Sequence, residues 1–554
     1  MDQKIYNKYQ EWLNYPGLKQ EEHEELLAIR DNEKEITERF IADLEFGTAG
    51  LRGVMAMGSN RMNVYVVRHA TQGLANFLLK KEKKPSVVIA YDSRLNSDEF
   101  AHQAAKVLKA NGIETYIYPT LMPVPALSFA VRELKCSAGI VITASHNPKQ
   151  YNGFKVYGSD GCQMTTDNAN AVLAEINAIP MFNVKFEAKE PAKLVSNEVI
   201  EKYYASVLSQ SIEGPMDAER ILKVTYTPLH GAGFVPVTTV LKRDGFDHVD
   251  VVEEQKNPDG HFTTCPYPNP EIKEAMDLGM KLMVKNGNDI LVATDPDSDR
   301  AGVAVNQKGD AIILTGNEIG ILLFDYIYHA RKKLGTLPKD PVVVKSVVSS
   351  DLINLMGEKF GVRVINVLTG FKFIGEQILL LEEKNQENRY IFGFEESYGY
   401  LTNTNVRDKD AVNAVLLICE MANHYKHRGL TLLDRLNELY QEFGPYKTQT
   451  ISYEFAGLEG QAKMKSLMEK VRKEALALFP ELISLGDFLT GVEKYKDREE
   501  KINLPKSNVV RVTLPEHETI IFRPSGTEPK LKAYIFAREE HLQALHKRLD
   551  NILK

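Results

Sequence analysis

Short runs of apolar, mostly β-branched residues recur along the chain, separated by longer segments with helical spacing of apolar positions. The predicted strands lie at residues 86–90, 139–142, 223–226, 289–293 and 341–344. Because these strands are apolar at consecutive positions, both of their faces must be covered, which is typical of α/β domains. The alternation starts again near residues 86, 223 and 341, and this spacing indicates three similar α/β units.

The two ends of the chain follow other patterns. Residues 1–40 are rich in Glu, Lys, Gln and Leu and are predicted to be helical. Residues 445–475 and 500–540 are strand-rich, with helices at 461–477 and 539–553, which predicts a separate α+β domain. Clusters of Pro, Gly and polar residues predict linkers near residues 180–195, 306–310 and 440–446.

Composition and charge exclude several classes of protein. The 554 residues include 68 Lys and Arg and 75 Asp and Glu, a net charge of −7, whereas nucleic-acid binding favours a basic surface. The four cysteines are widely spaced and form no C-x-x-C pair, which argues against disulfides or zinc and favours the cytoplasm. The N-terminus has no apolar signal core, and the absence of a run of about 20 apolar residues argues against a membrane span.

A tight polar turn, Thr143-Ala144-Ser145-His146-Asn147-Pro148, follows the predicted strand 139–142. We call residues 143–148 the serine turn. A serine held rigidly at the end of a buried strand is a candidate covalent nucleophile or phosphate carrier. The turn is not the G-x-S-x-G elbow of hydrolases, and the sequence assigns no Ser/His/Asp triad.

A second turn, Asp295-Pro296-Asp297-Ser298-Asp299-Arg300, follows the predicted strand 289–293. We call residues 295–300 the metal turn, because three clustered carboxylates repel one another unless a hard cation such as Mg²⁺ binds them. The alternative is a solvated acidic loop. A calcium EF-hand does not fit, since Arg300 stands where glycine is needed and Asn306 where glutamate is needed. Arg300 is well placed to bind a phosphoryl oxygen.

Two arginine-containing segments are candidates for phosphate binding. Residues 523–529, Arg-Pro-Ser-Gly-Thr-Glu-Pro, offer a cation, hydroxyls and backbone N–H groups for a phosphate nest, although a plain β-turn is the alternative. Residues 46–53 combine three glycines with Arg52 but lack the Gly-Lys-Ser/Thr ending of a P-loop.

Two further segments contain candidate residues whose interpretation depends on these turns. Glu395 and Ser397 lie in the Gly-rich segment 393–399, where they can hydrogen-bond sugar hydroxyls or simply form a surface turn. Lys155 lies ten residues after Ser145, and a returning strand at residues 152–157 would bring it near the serine. Most lysines are surface charges, so the prediction for Lys155 depends on its neighbours.

Together these segments resemble the α-D-phosphohexomutase family of phosphoglucomutases and phosphomannomutases. Five signatures occur in the family's order, and residues 268–271 and 369–372 also look like family segments. The resemblance implies an α/β fold of four domains around a central cleft, three of them similar and the last α+β. The expected boundaries are a helical extension at 1–40, a serine-turn domain at 41–195, a metal-turn domain at 196–307, a sugar-binding domain at 308–442 and a phosphate-binding domain at 443–554.

The resemblance also implies a role for each matching residue. Ser145 is expected to be a phosphoserine whose oxygen completes a Mg²⁺ site on Asp295, Asp297 and Asp299. The other expected catalytic residues are Arg52, His146 and Lys155, with Lys155 as the candidate general acid/base. The expected substrate-binding residues are Thr369, Gly370, Glu395, Ser397, Lys409, Arg523, Ser525, Gly526, Thr527 and Arg300.

The resemblance implies an isomerase that interconverts glucose 1-phosphate and glucose 6-phosphate through a phosphoserine, with glucose 1,6-bisphosphate as activator and intermediate. Tyr398-Gly399 stands where many phosphomannomutases have Gly-His, which favours the phosphoglucomutase side. The extension 1–40 and residues 227–231 resemble the branch with bacterial α-phosphoglucomutases and phosphopentomutases. Phosphopentomutase, phosphomannomutase, metal-dependent phosphatase and inactive phosphosugar-binding protein are the alternatives. Expected partners are small sugar phosphates, with no nucleic acid or membrane, and no oligomeric state is predicted.

Overall fold

The protein is represented by a computed structural model that describes residues 2–47, 50–214, 219–455, 457–524 and 530–553. The chain divides into two compact units. Unit 1 comprises residues 1–314, 375–387 and 398–427, and unit 2 comprises residues 315–374, 388–397 and 428–554. In the described part of the chain, no helix is long and apolar enough to cross a membrane.

Unit 1 begins with three helices, α1 (Gln3–Leu13), α2 (Gln20–Ala28) and α3 (Glu33–Phe40), as predicted for residues 1–40. Side chains of Asp2 and Asn32 accept backbone hydrogen bonds at the starts of α1 and α3, which satisfies N–H groups that a helix cannot pair itself. Trp12 on α1 is buried and packs edge-on against Tyr65 and Phe40. The extension is therefore part of the unit 1 core.

The first sheet of unit 1 has the strand order β1-β5-β4-β2-β3-β6. Its elements are β1 (Gly50–Val54), α4 (Val64–Lys81), β2 (Ser86–Tyr91), α5 (Ser97–Ala110), β3 (Glu114–Ile117), α6 (Val124–Glu133), β4 (Ala138–Ile142), β5 (Tyr151–Gly158), α7 (Thr166–Asn177), β6 (Lys193–Leu194) and α8 (Asn197–Leu208). Strands β2, β3 and β4 are parallel, and β5 runs antiparallel to β4. Every residue of β4 is buried, as its unbroken apolar run predicts.

The second sheet of unit 1 has the order β11-β10-β9-β7-β8. Its elements are β7 (Val224–Thr227), α9 (Phe234–Arg243), β8 (Val249–Val251), α10 (Glu253–Lys256), α11 (Lys273–Asn286), β9 (Ile290–Thr294), β10 (Ala301–Gln307) and β11 (Asp310–Leu314). The arrangement β8-β7-β9-β10 repeats β3-β2-β4-β5, with three parallel strands and an antiparallel fourth. The predicted similarity of these α/β units is confirmed.

The linker prediction near residues 306–310 is wrong. These residues form the turn of a hairpin in which β10 and β11 pair, with Gln307 opposite Asp310. Lys308 and Gly309 both have positive φ, at 56° and 99°, as a tight turn requires. Polar and glycine residues mark a hairpin turn as readily as a linker, and the sequence did not distinguish the two.

The third α/β region has elements in both units. Its elements are α12 (Gly316–Leu334), β12 (Val342–Ser346), α13 (Leu352–Phe360), β13 (Arg363–Val367), α14 (Lys372–Glu382), β14 (Tyr390–Glu395), β15 (Gly399–Leu401), α15 (Ala411–His427) and α16 (Leu432–Phe443). In unit 2 the parallel order β13-β12-β14 matches β3-β2-β4 and β8-β7-β9. Strand β15 and helix α15 belong to unit 1.

The C-terminal part of unit 2 is an antiparallel sheet with the order β16-β22-β21-β20-β17-β18-β19. Its elements are β16 (Tyr446–Glu454), α17 (Gly457–Leu478), β17 (Ser484–Asp487), β18 (Val492–Tyr495), β19 (Glu499–Lys501), β20 (Val510–Thr513), β21 (Thr519–Pro524), β22 (Lys530–Arg538) and α18 (Glu539–Leu553). Val471 of α17 and Leu549 of α18 share an apolar core with Val512 and Ile520. The predicted α+β domain is therefore present.

Candidate active site

The serine turn connects β4 to β5 and holds its serine in an unusual backbone conformation. Ser145 has a φ of 51°, in the left-handed region that residues other than glycine seldom adopt. Its N–H donates to Thr143 Oγ1 at 2.8 Å, and only 4% of the residue is exposed. A non-glycine residue in this region is held there by its surroundings, here by the hydrogen bond to Thr143.

Arg94, which follows β2, holds the serine turn from beneath. Its buried guanidinium donates to the carbonyl oxygens of Pro148 and Tyr151, each at 3.1 Å, and to those of Ser145 and Asn147. The sequence analysis missed Arg94. Its position just past a parallel strand was the available signal, because binding sites form at the carboxyl ends of such strands.

Asp92 completes the support of the serine turn. Its Oδ2 accepts from Thr143 Oγ1 at 2.6 Å and lies 3.4 Å from the Arg94 Nε. Burial raises the pKa of Asp92, while Arg94 and the hydrogen bonds of Ser97 and Thr143 oppose that rise. The strand end therefore contains a buried ion pair that fixes the turn.

The metal turn connects β9 to β10, the positions that correspond to β4 and β5. Asp295, Asp297 and Asp299 are all buried, and one carboxylate oxygen from each lies within 4.8 Å of the others. Oδ1 of Asp297 and Oδ1 of Asp299 make no hydrogen bond to the residues that the structure describes. Buried, unpaired carboxylate oxygens in such a cluster fit a hard divalent cation such as Mg²⁺.

Backbone N–H groups hold the metal turn in place. The carbonyl oxygens of Pro296, Asp297 and Ser298 accept hydrogen bonds at 2.8, 2.9 and 3.1 Å. The three donors are the N–H groups of Ala232, Val124 and Ala411, in that order. These donors come from three separate segments of unit 1.

The serine turn and the metal turn meet within unit 1. Ser145 Oγ donates to Asp295 Oδ2 at 2.8 Å, and Thr143 Oγ1 lies 3.2 Å from Asp297 Oδ2. Strand β5 returns past the serine turn and places Lys155 Nζ 3.2 Å from Asp297 Oδ2. The structure thus brings together the predicted nucleophile, the predicted lysine and the predicted metal ligands.

The three carboxylates of the triad ionise differently because their neighbours differ. Burial and the neighbouring carboxylates Asp297 and Asp299 raise the pKa of Asp295 well above its ordinary value. Burial also acts to raise the pKa of Asp299, but Lys409, Lys155 and Arg300 outweigh burial and hold it below the ordinary value. A dication would relieve the repulsion that raises the pKa of Asp295.

Lys409 and Arg300, predicted to bind substrate, both lie beside Asp299. Lys409 Nζ is 3.1 Å from Asp299 Oδ2 and 3.0 Å from Asp408 Oδ1. Arg300 NH1 donates to Glu271 Oε1, and its Nε lies 3.9 Å from Asp299 Oδ1. Both cations therefore face the anionic turn.

His146 and Arg52 flank the serine. His146 Nδ1 lies 3.2 Å from Ser145 Oγ, and Arg52 NH1 donates to Asn147 Oδ1 at 3.1 Å. Burial, together with the cations Arg300 and Arg52, lowers the pKa of His146 well below its ordinary value. The imidazole is therefore neutral at physiological pH.

The predicted sugar-binding residues lie in unit 2. Glu395 ends β14 with 5% of its surface exposed, and its Oε1 accepts from the N–H of Gly370, which has a φ of 123°. Thr369 Oγ1 is buried and makes no hydrogen bond to any described residue. Ser397 is half-buried. Unit 2 thus brings Glu395 and Gly370 together in its own cluster.

Arg523, predicted to bind phosphate, lies near the end of β21 and is half-buried. It hydrogen-bonds Tyr534 of β22, and burial together with Glu396 raises the pKa of that hydroxyl while Arg523 opposes the rise. Ser525, Gly526 and Thr527, predicted as part of the same phosphate nest, lie outside the described residues, as do Thr48 and Ala49 of segment 46–53.

The chain matches models of the phosphoglucomutase/phosphomannomutase family: α/β/α domain I at residues 43–181, domain II at 201–309 and domain III at 315–443. It is 38% identical to a phosphoglucomutase of Staphylococcus haemolyticus (strain JCSC1435) over 524 residues, 93% of this chain and 94% of that protein.

Solved structures of similar fold include pp63/parafusin, a phosphoglucomutase from Paramecium, with a TM-score of 0.68 and 18% identity. A phosphoglucomutase/phosphomannomutase family protein from Burkholderia thailandensis has a TM-score of 0.66 and 19% identity. Each comparison covers 92% of this chain and 96% of the other. These likenesses concern the fold.

Proposed function

The chain belongs to the phosphoglucomutase/phosphomannomutase family, and from this premise we propose that it interconverts glucose 1-phosphate and glucose 6-phosphate. The observation that carries the proposal is the 2.8 Å hydrogen bond from the Ser145 hydroxyl to Asp295, inside a buried carboxylate triad. A serine so placed can carry a phosphoryl group next to a cation that neutralises its charge.

In the proposed reaction, phosphorylated Ser145 gives its phosphoryl group to the free hydroxyl of the bound sugar phosphate. The bond from phosphorus to Ser145 Oγ breaks, and the bond from phosphorus to the sugar oxygen forms. A general base takes the proton of the sugar hydroxyl, and Ser145 Oγ gains a proton as it leaves. We assign that role to Lys155. The product, glucose 1,6-bisphosphate, reorients and returns its other phosphoryl group to Ser145, while the released sugar oxygen regains a proton. The same bisphosphate serves as the activator that first phosphorylates Ser145.

We propose that Asp295, Asp297 and Asp299 hold Mg²⁺ together with an oxygen of phosphorylated Ser145. When bound, Mg²⁺ neutralises charge on the transferring phosphoryl group. The unpaired buried oxygens of Asp297 and Asp299 support this assignment.

The other residues of the site receive binding and positioning roles. Arg52 stabilises phosphoryl charge beside the serine turn, and neutral His146 contacts Ser145 Oγ through Nδ1. We propose that the substrate is bound by Thr369, Gly370, Glu395, Ser397, Lys409 and Arg300, and that its non-transferring phosphate is bound by Arg523, Ser525, Gly526 and Thr527.

We propose the extension at 1–40 and the domains at 41–195 and 443–554, as expected from the sequence. The expected boundary between the domains 196–307 and 308–442 divides the hairpin of β10 and β11, so we place it after Leu314. The cytoplasm is the proposed location, supported by Cys136, Cys265 and Cys419, which are buried thiols outside any disulfide. The proposed partners are small sugar phosphates.

The test is a coupled assay for glucose 6-phosphate formed from glucose 1-phosphate, with Mg²⁺ and a catalytic amount of glucose 1,6-bisphosphate. Wild-type protein should turn over, and its intact mass should show a phosphorylated fraction. Ser145→Ala should lose both the activity and the phosphorylated fraction without a change in melting temperature. The exposed Ser159→Ala is the matched control and should keep both.

The alternatives give different results in the same assay. Faster turnover of mannose 1-phosphate or ribose 1-phosphate than of glucose 1-phosphate would replace the proposed substrate. Release of inorganic phosphate with no bisphosphate intermediate would indicate a phosphatase. Binding of sugar phosphates without turnover by wild-type protein would contradict an enzymatic function.

A further inference from the structure

Arg300, the last residue of the metal turn, is paired with a carboxylate that lies outside that turn. Its NH1 donates to Oε1 of Glu271, and the side chains are 17% and 36% exposed. Arg300 follows Asp299 in the chain and ends a turn that contains two more carboxylates, those of Asp295 and Asp297. Its guanidinium therefore has three anionic neighbours within its own turn. Glu271 is a carboxylate outside the turn that pairs with this cation more closely than Asp299 does.

The position of Glu271 follows from a glycine in β10. A Cβ atom on Gly302 would lie 2.6 Å from the Cβ and 3.2 Å from the carbonyl oxygen of Pro270. Because glycine leaves this space open, the turn at residues 268–271 rests directly on β10, two residues after Arg300. Asn269 then closes the turn, since its Oδ1 accepts from the Glu271 N–H at 3.1 Å.

The ion pair uses one end of the guanidinium. The Nε of Arg300 is buried and makes no hydrogen bond to the residues that the structure describes, and it lies 3.9 Å from Asp299 Oδ1. A guanidinium held at NH1 still presents a second edge, which matches two oxygens of a phosphoryl group. A buried donor without a partner is costly, so a bound anion there would be stabilised.

We propose that Glu271 is a positioning residue for phosphoryl recognition: it holds Arg300 through NH1 and leaves the Nε edge for the phosphoryl oxygens of the substrate. The proposal rests on the proposed function and adds to it. Glu271 has no part in the bond-breaking step. It sets the direction of Arg300, so its loss weakens binding in the ground state and the transition state alike.

The first test is the steady-state kinetics of Glu271→Gln on glucose 1-phosphate. Gln keeps the size of the side chain but removes the negative charge that pairs with Arg300. KM should rise about tenfold while kcat changes less than about twofold, the pattern expected when binding is lost uniformly. Glu271→Asp should recover part of the lost affinity. Glu274→Gln, an exposed change of the same charge on α11, should leave both constants unchanged.

Two further variants separate positioning from general stability. Gly302→Ala should displace the 268–271 turn and raise KM while Glu271 itself is intact. In an Arg300→Gln background, Glu271→Gln should add almost nothing, because its effect acts through Arg300. Additive effects of the two changes, or equal losses of kcat and kcat/KM in Glu271→Gln, would overturn the proposal.

A direct measurement of substrate binding distinguishes a failure of this proposal from a failure of the proposed function. Glucose 1-phosphate binding to Ser145→Ala protein, measured by calorimetry, should weaken about tenfold when Glu271→Gln is added. Weakened binding with no turnover by the wild type would support the role of Glu271 and reject the mutase. Turnover by the wild type with KM and binding unchanged in Glu271→Gln would reject the role of Glu271 and support the mutase.

Discussion

The serine turn and the metal turn occupy the same place in two similar sheets, yet they are held by different means. One side chain, Arg94, donates to carbonyl oxygens of the serine turn and of the residues that follow it. The carbonyls of the metal turn instead accept from the backbone N–H groups of Ala232, Val124 and Ala411. We attribute this difference in hydrogen-bond donors to the charge of the group that each turn is proposed to bind.

A turn that carries a phosphoryl group can be supported by a buried cation, here paired with Asp92, because the turn itself has no metal ion to bind. A turn that must bind a cation would lose affinity if a buried guanidinium supported it. Neutral N–H groups hold the backbone of the metal turn, so this support adds no cation to Lys155, Lys409 and Arg300, which already face its carboxylates. The repeated fold therefore provides the same position in each sheet, a turn after the buried strand β4 or β9. The hydrogen-bond donors that support this turn differ between the turn proposed to carry a phosphoryl anion and the turn proposed to bind a metal cation.

The largest effect is expected where the metal turn loses a ligand. Asp297→Asn should lower kcat by about 10³-fold and weaken Mg²⁺ binding, because an amide cannot replace the carboxylate charge. Activity and calorimetric titrations against Mg²⁺ would measure both effects. Asp310→Asn, an exposed change of the same type on β11, is the control. An unchanged Mg²⁺ requirement in Asp297→Asn would contradict the metal assignment.

Arg94→Lys should affect the serine turn alone. A lysine ammonium cannot span the four carbonyl oxygens that the guanidinium reaches, so several of them lose their donor. We expect activity to fall about 100-fold and hydrogen exchange to rise across residues 143–151. Exchange at residues 295–300 should stay as in the wild type. Arg30→Lys, at an exposed site, is the control; equal exchange changes in both turns would break the comparison.

Two glycines allow a matched perturbation of the turns. A Cβ on Gly231 would lie 2.4 Å from the Cα of Pro296, and a Cβ on Gly153 would lie 2.5 Å from the carbonyl oxygen of Thr143. Gly231→Ala should weaken Mg²⁺ binding about tenfold, whereas Gly153→Ala should lower Ser145 phosphorylation by a similar factor. Gly486→Ala, where the nearest atom is 3.6 Å away, should do neither. The reverse pattern would show that the glycines act on other parts of the fold.

The smallest effect concerns Asp410, at the start of the helix that supports the metal turn. Burial raises its pKa to about 7. The unfolded chain ionises this group near pH 4, so the folded state binds the extra proton, and stability falls as pH rises toward and through 7. Between pH 6 and pH 8 the loss should be about 1.4 kcal/mol.

Asp410→Asn cannot titrate and should lack this part of the pH dependence. The measurement is the apparent melting temperature of both proteins at pH 6 and pH 8. The wild type should lose more stability than the variant over that interval. Parallel shifts in the two proteins would mean that Asp410 does not titrate in this range.

Much of the fold could be predicted because apolar runs are a strong local signal. The runs at 139–142 and 289–293 correspond to β4 and β9 within one residue at each end. The segment 306–310 failed because Gly309 and its polar neighbours mark a chain reversal without showing whether a strand follows it. Only the pairing of β10 with β11 distinguishes a hairpin from a linker.

For the candidate site, the sequence predicted the residue types but not their support. Carboxylates at alternate positions and a serine at a strand end are visible locally. Arg94 and Ala411, in contrast, reach the two turns from 51 and 113 positions away in the chain, counted to Ser145 and Ser298. Contacts over such separations arise from tertiary packing, which no local spacing reveals.

The backbone of Ser145 limits which amino acids evolution can place at this position. Threonine carries the same hydroxyl and accepts phosphate in other settings. At a φ of 51°, however, a β-branched side chain is crowded by the backbone, so threonine is strongly disfavoured at this position. Glycine and asparagine fit the conformation but have no hydroxyl to phosphorylate. Replacement of this serine by threonine therefore costs backbone strain even though the hydroxyl is retained.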